Sequence, residues 1–467
     1  MTCRAFFGLT FWITIWLLAP ARILSQEREG EAPAEPKPNI VFVLADDMGY
    51  GDASCFNKDS KIKTPHMDRL AKQGMRFTDA HTGAAICSPT RYNLLTGRYA
   101  WRTGLRGVLN DNSPALIGGQ QLTVASLLKR LGYHTACIGK WHLGMVHGNG
   151  KVEQGPISRG FDYFYGFQYA RGIENLVEND RPAPKLAPVE VLPMLAKKAV
   201  AYLDQRAKEK TPFFLYLPLN SPHTPIVPAP EFQGKSGLDA YGDFVVQTDW
   251  ALGQVMDALD RNAQAENTLL IFTSDNGSPH TKGKAGHASN FIFRGQKAMI
   301  YEGGHRVPFI ARWPGKVAAN STCNHVVCLG DLLATSAAIA DEKLPEQAGL
   351  DSVSYLPHLL GTSKGPLREA TVHHDGYDSF AIRKDQWVLV FPAGAGKKAK
   401  KAPDAVELYD LDKDIGQTKN LSKEQPEIVA DLTRLMQRYV DNGRSTPGPA
   451  QRNDVVVKFQ GGSGKKK

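Results

Sequence analysis

The chain has 467 residues, enough for one large domain and a smaller second one. Hydrophobic residues make up 42%, an ordinary globular share that excludes both a disordered chain and a multi-span membrane protein. Its 56 Lys and Arg outnumber its 47 Asp and Glu by nine, a basic balance suited to an anionic partner.

Part of that excess is local, in Lys397, Lys398, Lys400 and Lys401 and again in Lys465 to Lys467. These runs lack interleaved aromatics, so they read as solvated loops and tails, with no nucleic-acid partner expected. At the other end, Arg4 precedes an apolar run from Ala5 to Leu18 and then the small residues Ala19 and Ala21. That is the layout of a secretory signal over residues 1–25, cleaved between Ala21 and Gln26. The run is short for a membrane span and no other segment qualifies. The mature chain is therefore expected to be secreted or periplasmic, with no stable span. Residues 26–38, rich in Glu, Pro and Ala, read as a leader.

Ile40 to Ala45 is a continuous apolar run, as expected of a parallel strand buried on both faces, and it ends in Asp46-Asp47. Thr64 to Gln73 has helical spacing. Thr123 caps a helix carrying Val124, Leu127, Leu128 and Leu131, and Tyr133 to Gly139 is a strand leading into Lys140-Trp141-His142. Phe213 to Leu217 is a strand ahead of His223. A long helix over Asp243 to Asn262 follows, then a strand over Thr268 to Phe272 that leads to Asp275-Asn276. Strands alternating with helices imply an α/β fold with a large, mostly parallel sheet flanked by helices. Four of these strands release an acid, amide, Lys or His soon after their last apolar residue. In open α/β sheets the ligand site lies beyond the carboxyl ends of the strands. Asp46, Asp47, Lys140, His142, His223, Asp275 and Asn276 are thus expected to converge on one edge.

From about Pro366 the texture changes to short strands, at Ala381 to Lys384, Trp387 to Phe391 and Glu407 to Leu411, and an amphipathic helix over Pro426 to Val440. Residues 39–364 are therefore expected to form the catalytic domain and 365–445 a small α+β C-terminal subdomain. Residues 446–467 form a basic tail expected to be disordered, apart from a short strand at Val455 to Phe459.

Cys87-Ser88-Pro89-Thr90-Arg91 reads as a helix start, with Ser88 as cap, Pro89 at the first helical position and Gly97 as the stop. Cys87 then sits where free backbone N–H groups favour an anion, and Arg91 adds a fixed positive charge one turn in. Cys3 leaves with the signal. Cys55, Cys137, Cys323 and Cys328 allow up to two disulfides, although Cys137 lies in an apolar run and reads as a core thiol. Asp46, Asp47, Asp275 and Asn276 supply only oxygen, which suits a hard cation, Ca2+ ahead of Mg2+. A single such pair is more often a turn or cap, but here two pairs follow apolar strands.

Cys-x-Pro-x-Arg followed by Leu95-Thr96-Gly97-Arg98 resembles the signature of type I sulfatases, the arylsulfatase A-like branch of the alkaline-phosphatase superfamily. Gly139-Lys140-Trp141-His142-Leu143-Gly144 is similar to a segment of that family. His223, in Ser-Pro-His-Thr-Pro, and Lys297, in Gly-Gln-Lys-Ala-Met-Ile-Tyr-Glu-Gly-Gly, match family positions. The likeness spans roughly Asn39 to Val440. It implies an alkaline-phosphatase-like fold and oxidation of Cys87 to Cα-formylglycine by a formylglycine-generating maturation enzyme. It also implies Asp46, Asp47, Asp275 and Asn276 as metal ligands, with the group at position 87 as a fifth. Arg91, Lys140 and Lys297 are then expected to hold sulfate, His223 to protonate the leaving alcohol, and His142 to take the proton that releases sulfate. Arg306 and Arg312 read as structural. Many relatives carry Ser after a Gly-x-x-Tyr stretch, whereas Gly166-Phe167-Gln168-Tyr169 is followed here by Ala170.

The activity implied is hydrolysis of an aryl or carbohydrate sulfate ester, with a sulfated small molecule or polysaccharide as substrate. The alternatives are a phosphonate or phosphate-ester hydrolase of the same superfamily, and a non-catalytic sulfated-glycan-binding protein. The intact set of six catalytic candidates argues against the last. The loops over 101–116, 147–158, 169–192 and 278–290 are expected to choose the alcohol.

Overall fold

The structure is a computed structural model. It describes residues 36–460, apart from 112, 281–285 and 394–405, together with a few isolated positions in the first ten. The signal core, most of the leader, Cys3, the Lys397 cluster and Lys465 to Lys467 lie outside the described residues.

Five strands, Thr268–Ser274, Asn39–Ala45, Phe213–Pro218, His134–Lys140 and Tyr163–Phe167, run parallel in that spatial order at the centre of a 10-stranded sheet. Their apolar runs are unbroken because both faces are covered. Alternation sends Ile40, Phe42 and Leu44 to one face, against Leu94 and Leu95 of the helix Cys87–Thr96 and Val124 and Leu128 of the helix Val124–Arg130. Val41, Val43 and Ala45 go to the other. There they meet Leu70 of the helix Pro65–Gln73, Leu195 of Pro188–Arg206 and Leu252 of Ala240–Arg261. The sheet is mixed at its margins, where Phe309–Arg312 pairs antiparallel with Thr268–Ser274, and Val177–Glu178 antiparallel with Tyr163–Phe167.

Thr123 does cap its helix, its hydroxyl accepting from the Ser126 N–H at 3.0 Å. The long helix begins at Ala240, three residues ahead of Asp243, because Asp239 caps it by accepting from the Gly242 N–H at 3.1 Å. The strand expected to stop at Phe272 continues through Ser274, held in register with Leu44 and Ala45. Cys55, Cys87, Cys137, Cys323 and Cys328 are all free thiols. No disulfide forms among the described residues: Cys137 is sealed in the core, and Cys323 and Cys328 belong to strands of different sheets. No helix among the described residues is long and apolar enough to cross a membrane.

The C-terminal region is an antiparallel sheet of Thr371–His374, Phe380–Lys384, Trp387–Phe391 and Glu407–Asp410. The helix Pro426–Asp441 lays Leu432, Leu435, Met436 and Tyr439 on it, and Tyr99 and Trp101 join the same apolar cluster from the larger unit. The tail departs from expectation. Through residue 460 it is anchored at points along its length: Asp454 pairs with Arg98 at 2.9 Å, and Phe459 is buried with its ring centroid 5.0 Å from that of Phe391. No strand forms at 455–459. The segment is held by these side-chain contacts and by isolated backbone bonds such as that from the Asp454 N–H to the Arg102 carbonyl at 2.8 Å, without ladder pairing.

Candidate active site

Parallel register builds the first half of the site. Ala45 pairs with Ser274, so the residues that follow the two strands emerge side by side. The Asp275 N–H donates to the Ala45 carbonyl at 3.1 Å, and the Asp47 N–H donates to Asp275 Oδ1 at 3.2 Å. Asp47 turns out of the strand with φ at 71°, a left-handed conformation that Asp tolerates better than most residues. Asn276 Nδ2 donates to Asp47 Oδ1 at 2.7 Å, while Asn276 Oδ1 is buried with no hydrogen-bond donor. The turn after Asp47 is fixed by Asp52, which takes the Tyr241 hydroxyl at 2.5 Å and lies 2.8 Å from His287 Nε2. Tyr241 and His287 carry no family-like motif and were not legible as supports.

The helix brings Cys87. It starts two residues earlier than expected, with Ile86 in extended conformation at the cap position and Cys87 as the first helical residue. Ser88 is not the cap: its hydroxyl accepts instead from the Leu109 N–H at 3.1 Å. Cys87 is buried, and its Sγ lies 3.7 Å from Asp46 Oδ1. Arg91, one turn on, sends Nε and Nη2 to Asp275 Oδ2 at 3.0 and 2.7 Å and Nη1 to the Lys140 carbonyl at 3.1 Å.

Lys140 and His142 come from the end of the strand His134–Lys140. Lys140 Nζ lies 2.6 Å from Asp46 Oδ2, and Lys297 Nζ 2.7 Å from Asp47 Oδ2. His223 Nε2 stands 3.6 Å from the same Asp47 oxygen. His142 Nε2 faces the Leu109 carbonyl at 2.9 Å. A carbonyl only accepts, so Nε2 carries the proton and Nδ1 holds a free lone pair. That Nδ1 is buried without a partner. Burial, followed by Lys140 and Arg91, holds the His142 pKa well below the usual imidazole value and keeps the ring neutral. Leu109 contributes only backbone atoms, so no side-chain signal marked it in advance.

Three carboxylates and three fixed cations thus share one buried volume. Burial pushes Asp46 up, but Lys140, His223, Arg91 and Lys297 outweigh it and hold the carboxyl well below its ordinary range. Asp275 goes the other way, raised to about 6 by burial and the neighbouring Asp46 charge against Arg91. The Cys87 thiol is pushed up to about 12, chiefly by burial, so at neutral pH it is a weak nucleophile. Asp46, Asp47, Cys87 and His223 place one potential ligand atom each within 4.8 Å of one another. Two of those atoms are carboxylate oxygens, one is a sulfur and one an imidazole nitrogen. The donorless Asn276 oxygen adds a further candidate ligand, while Asp275 falls outside the group, its oxygens taken by Arg91 and the Asp47 N–H. All ten residues singled out in the sequence lie together here. Arg306 and Arg312 stand apart, Arg306 pairing with Asp79 and Glu302, and Arg312 hydrogen-bonding Gln73.

A family model described as Sulfatase matches residues 38–341. An N-acetylgalactosamine-6-O-sulfatase of Bacteroides thetaiotaomicron is 34% identical over 86% of this chain and 93% of its own length. Human arylsulfatase A is 34% identical over 89% and 90% respectively. Among solved structures, one from work on the metabolism of multiple glycosaminoglycans by B. thetaiotaomicron superposes with a TM-score of 0.80 at 32% identity, covering 86% of this chain and 99% of that one. Ps i-CgsB, crystallised with k-i-k-neocarrahexaose, gives 0.75 at 29%, covering 86% and 92%. The chain belongs to the sulfatase family, whose alkaline-phosphatase-like sheet it shares, and it is a sulfuric ester hydrolase. Within that family it is an arylsulfatase A-like, type I member.

Proposed function

We propose that this protein is an exported, formylglycine-dependent sulfatase that removes sulfate from a carbohydrate ester with the help of a divalent cation. The observation that carries the reading is Cys87 itself. It is buried at a helix N-terminus with its Sγ 3.7 Å from Asp46, in a pocket where Lys140 and Lys297 are already paired to carboxylates. The carbohydrate preference rests on two relatives, one named for N-acetylgalactosamine 6-sulfate and one crystallised with neocarrahexaose.

Asp46, Asp47, Asp275 and Asn276 would hold the cation, Ca2+ ahead of Mg2+, which when bound supplies positive charge to acidify a neighbouring hydroxyl and to offset charge on sulfate oxygens. Oxidation of Cys87 to Cα-formylglycine by a maturation enzyme replaces an inert thiol with a hydrated aldehyde, one hydroxyl serving as nucleophile and the other driving sulfate release. Lys140 and Lys297 bracket the sulfate and favour the charge that spreads over its oxygens as the ester bond breaks. His223, at the outer rim, donates its Nδ1–H to the Thr224 carbonyl at 2.5 Å, and burial lowers its pKa, so the neutral ring carries a lone pair on Nε2. Protonating the departing oxygen takes the imidazolium form, in which Nε2 also bears a proton. The free Nδ1 of His142 accepts the proton that lets sulfate go. Arg91, expected to hold sulfate, instead turns its donors to Asp275 and the Lys140 carbonyl and so holds Asp275 in place. The signal-like N-terminus supports export.

Co-expression with a formylglycine-generating enzyme should give a position 87 peptide whose mass shows the aldehyde, together with sulfate release from 4-methylumbelliferyl sulfate. Cys87→Ser should abolish that release. An active enzyme whose Cys87 is wholly unmodified would falsify the reading. Faster turnover of an aryl phosphate would favour phosphate-ester hydrolysis instead.

A further inference from the structure

Beside the site lies a cavity of about 340 Å3 whose use the mechanism leaves open. Its polar lining is Asp111, His147, Asn175, Lys185 and Gln168, over an apolar floor that includes Leu176. Gln168 is only 7% exposed, yet neither its Nε2 nor its Oε1 has a hydrogen-bond partner. A buried carboxamide unpaired by protein at both atoms is destabilising unless water or a ligand in the cavity pairs with it. A carboxamide also donates and accepts at once, which matches a pair of neighbouring hydroxyls. Among the described residues Asp111 is the one carboxylate on the lining, and His147 and Lys185 line the cavity with it, so the surface is polar without strong net charge. Hydroxyls at the edge and C–H groups on the face describe a pyranose ring, and the volume suits one such unit.

Two chain segments join this cavity to the reaction centre. The Gln168 carbonyl accepts from the His142 N–H at 2.9 Å, and the Tyr169 ring centroid is 5.2 Å from that of His142. Asp111 follows two residues after Leu109, which contacts both Ser88 and His142. We infer that the cavity binds the sugar unit attached to the sulfated one, so that the preferred substrate is an oligosaccharide sulfate. This rests on the sulfatase reading above and adds a substrate length to it. Gly172 keeps the cavity open. A Cβ there would stand 3.0 Å from Asn175 Nδ2 and 3.4 Å from Asp111 Oδ2, and the backbone is not in a conformation that requires glycine.

The test uses the matured enzyme and three probes: 4-methylumbelliferyl sulfate, N-acetylgalactosamine 6-sulfate as the free monosaccharide, and the same sugar at the end of a disaccharide. Wild type is expected to favour the disaccharide over the monosaccharide at least tenfold in kcat/KM. Gly172→Leu and Asn175→Leu should erase most of that preference through KM, with aryl sulfate turnover within twofold of wild type. Gln168→Leu should lose the disaccharide preference and raise Tm, because it removes an unpaired buried amide. Equal rates on the two sugars, no turnover of either sugar beside normal aryl sulfate hydrolysis, or an equal loss on all three probes in the variants would overturn the inference alone. No sulfate release from any probe, with position 87 shown to be oxidised, would remove the sulfatase reading as well.

Discussion

Arg91 is fully buried and permanently charged, and it survives there because Asp275 and the Lys140 carbonyl take its donors. The same logic runs through the site, where each carboxylate has a named cation. Asn276 is the exception, a neutral ligand candidate whose oxygen has no donor. Its replacement tests the metal without breaking an ion pair. Treating the matured enzyme with a chelator should abolish sulfate release, and Ca2+ should restore it better than Mg2+. In Asn276→Ala the Ca2+ concentration for half-maximal recovery should rise about tenfold or more, by analogy with the loss of a supporting ligand contact. Recovery without added metal, or an unchanged Ca2+ requirement, would argue against the assignment. The ten candidates were singled out from motifs and strand ends, whereas Leu109 and Gln168, whose backbone carbonyls contact His142, had no motif to mark them.

At the scale of elements, the antiparallel C-terminal sheet is fastened to the larger unit by a buried ion pair. Arg383, on the strand Phe380–Lys384, sends Nη1 and Nη2 to the two oxygens of Asp79 at 2.7 Å each, and Arg306 approaches the same carboxylate at 3.3 Å. Burial alone would raise the Asp79 pKa, but Arg306 and Arg383 reverse it and hold the carboxyl well below its ordinary value. Its stabilising contribution is therefore complete above the unfolded-state value of about 3.9 and is lost as pH falls through the lower folded-state value. Wild-type Tm should be insensitive to this group from pH 5 to 7 and decline below about pH 4. Asp79→Asn should cost about 3–5 kcal/mol at pH 7, since it takes from the buried Arg383 guanidinium the carboxylate that both of its Nη groups meet, and much less near pH 2. Denaturant melts across that range check it, and a pH-independent cost would contradict the pairing. Periodicity showed that these strands exist. It gave no sign that Arg383 and Asp79, far apart in the chain, would meet.

At the scale of the whole molecule, the tail is the clearest gain from the structure. Its composition, rich in Gly, Pro and Lys, pointed to disorder, yet Phe459 fills a position against Phe391, and Arg102 Nη1 reaches Asn453 Oδ1 at 2.9 Å. Phe459→Ala should cost about 3 kcal/mol, the usual range for emptying a buried aromatic site, and lower Tm with the aryl sulfate KM unchanged. A Tm within a degree of wild type would mean the tail is not part of the folded unit.

By itself, the sequence determined the alternation of strands and helices, the strand ends that carry acids, amides and bases, and the cysteine motif. Each of these is written in local apolar periodicity or in a short contiguous pattern, and a local signal survives without knowledge of the fold. Only the tertiary structure decided which strand end stands beside which, how the Ala45–Ser274 register sets Asp47 against Asp275, where the unpaired Gln168 amide opens onto a cavity, and what anchors the tail. Those facts depend on contacts between residues distant in the chain, and hydrophobic patterning specifies that a face is buried without specifying its partner.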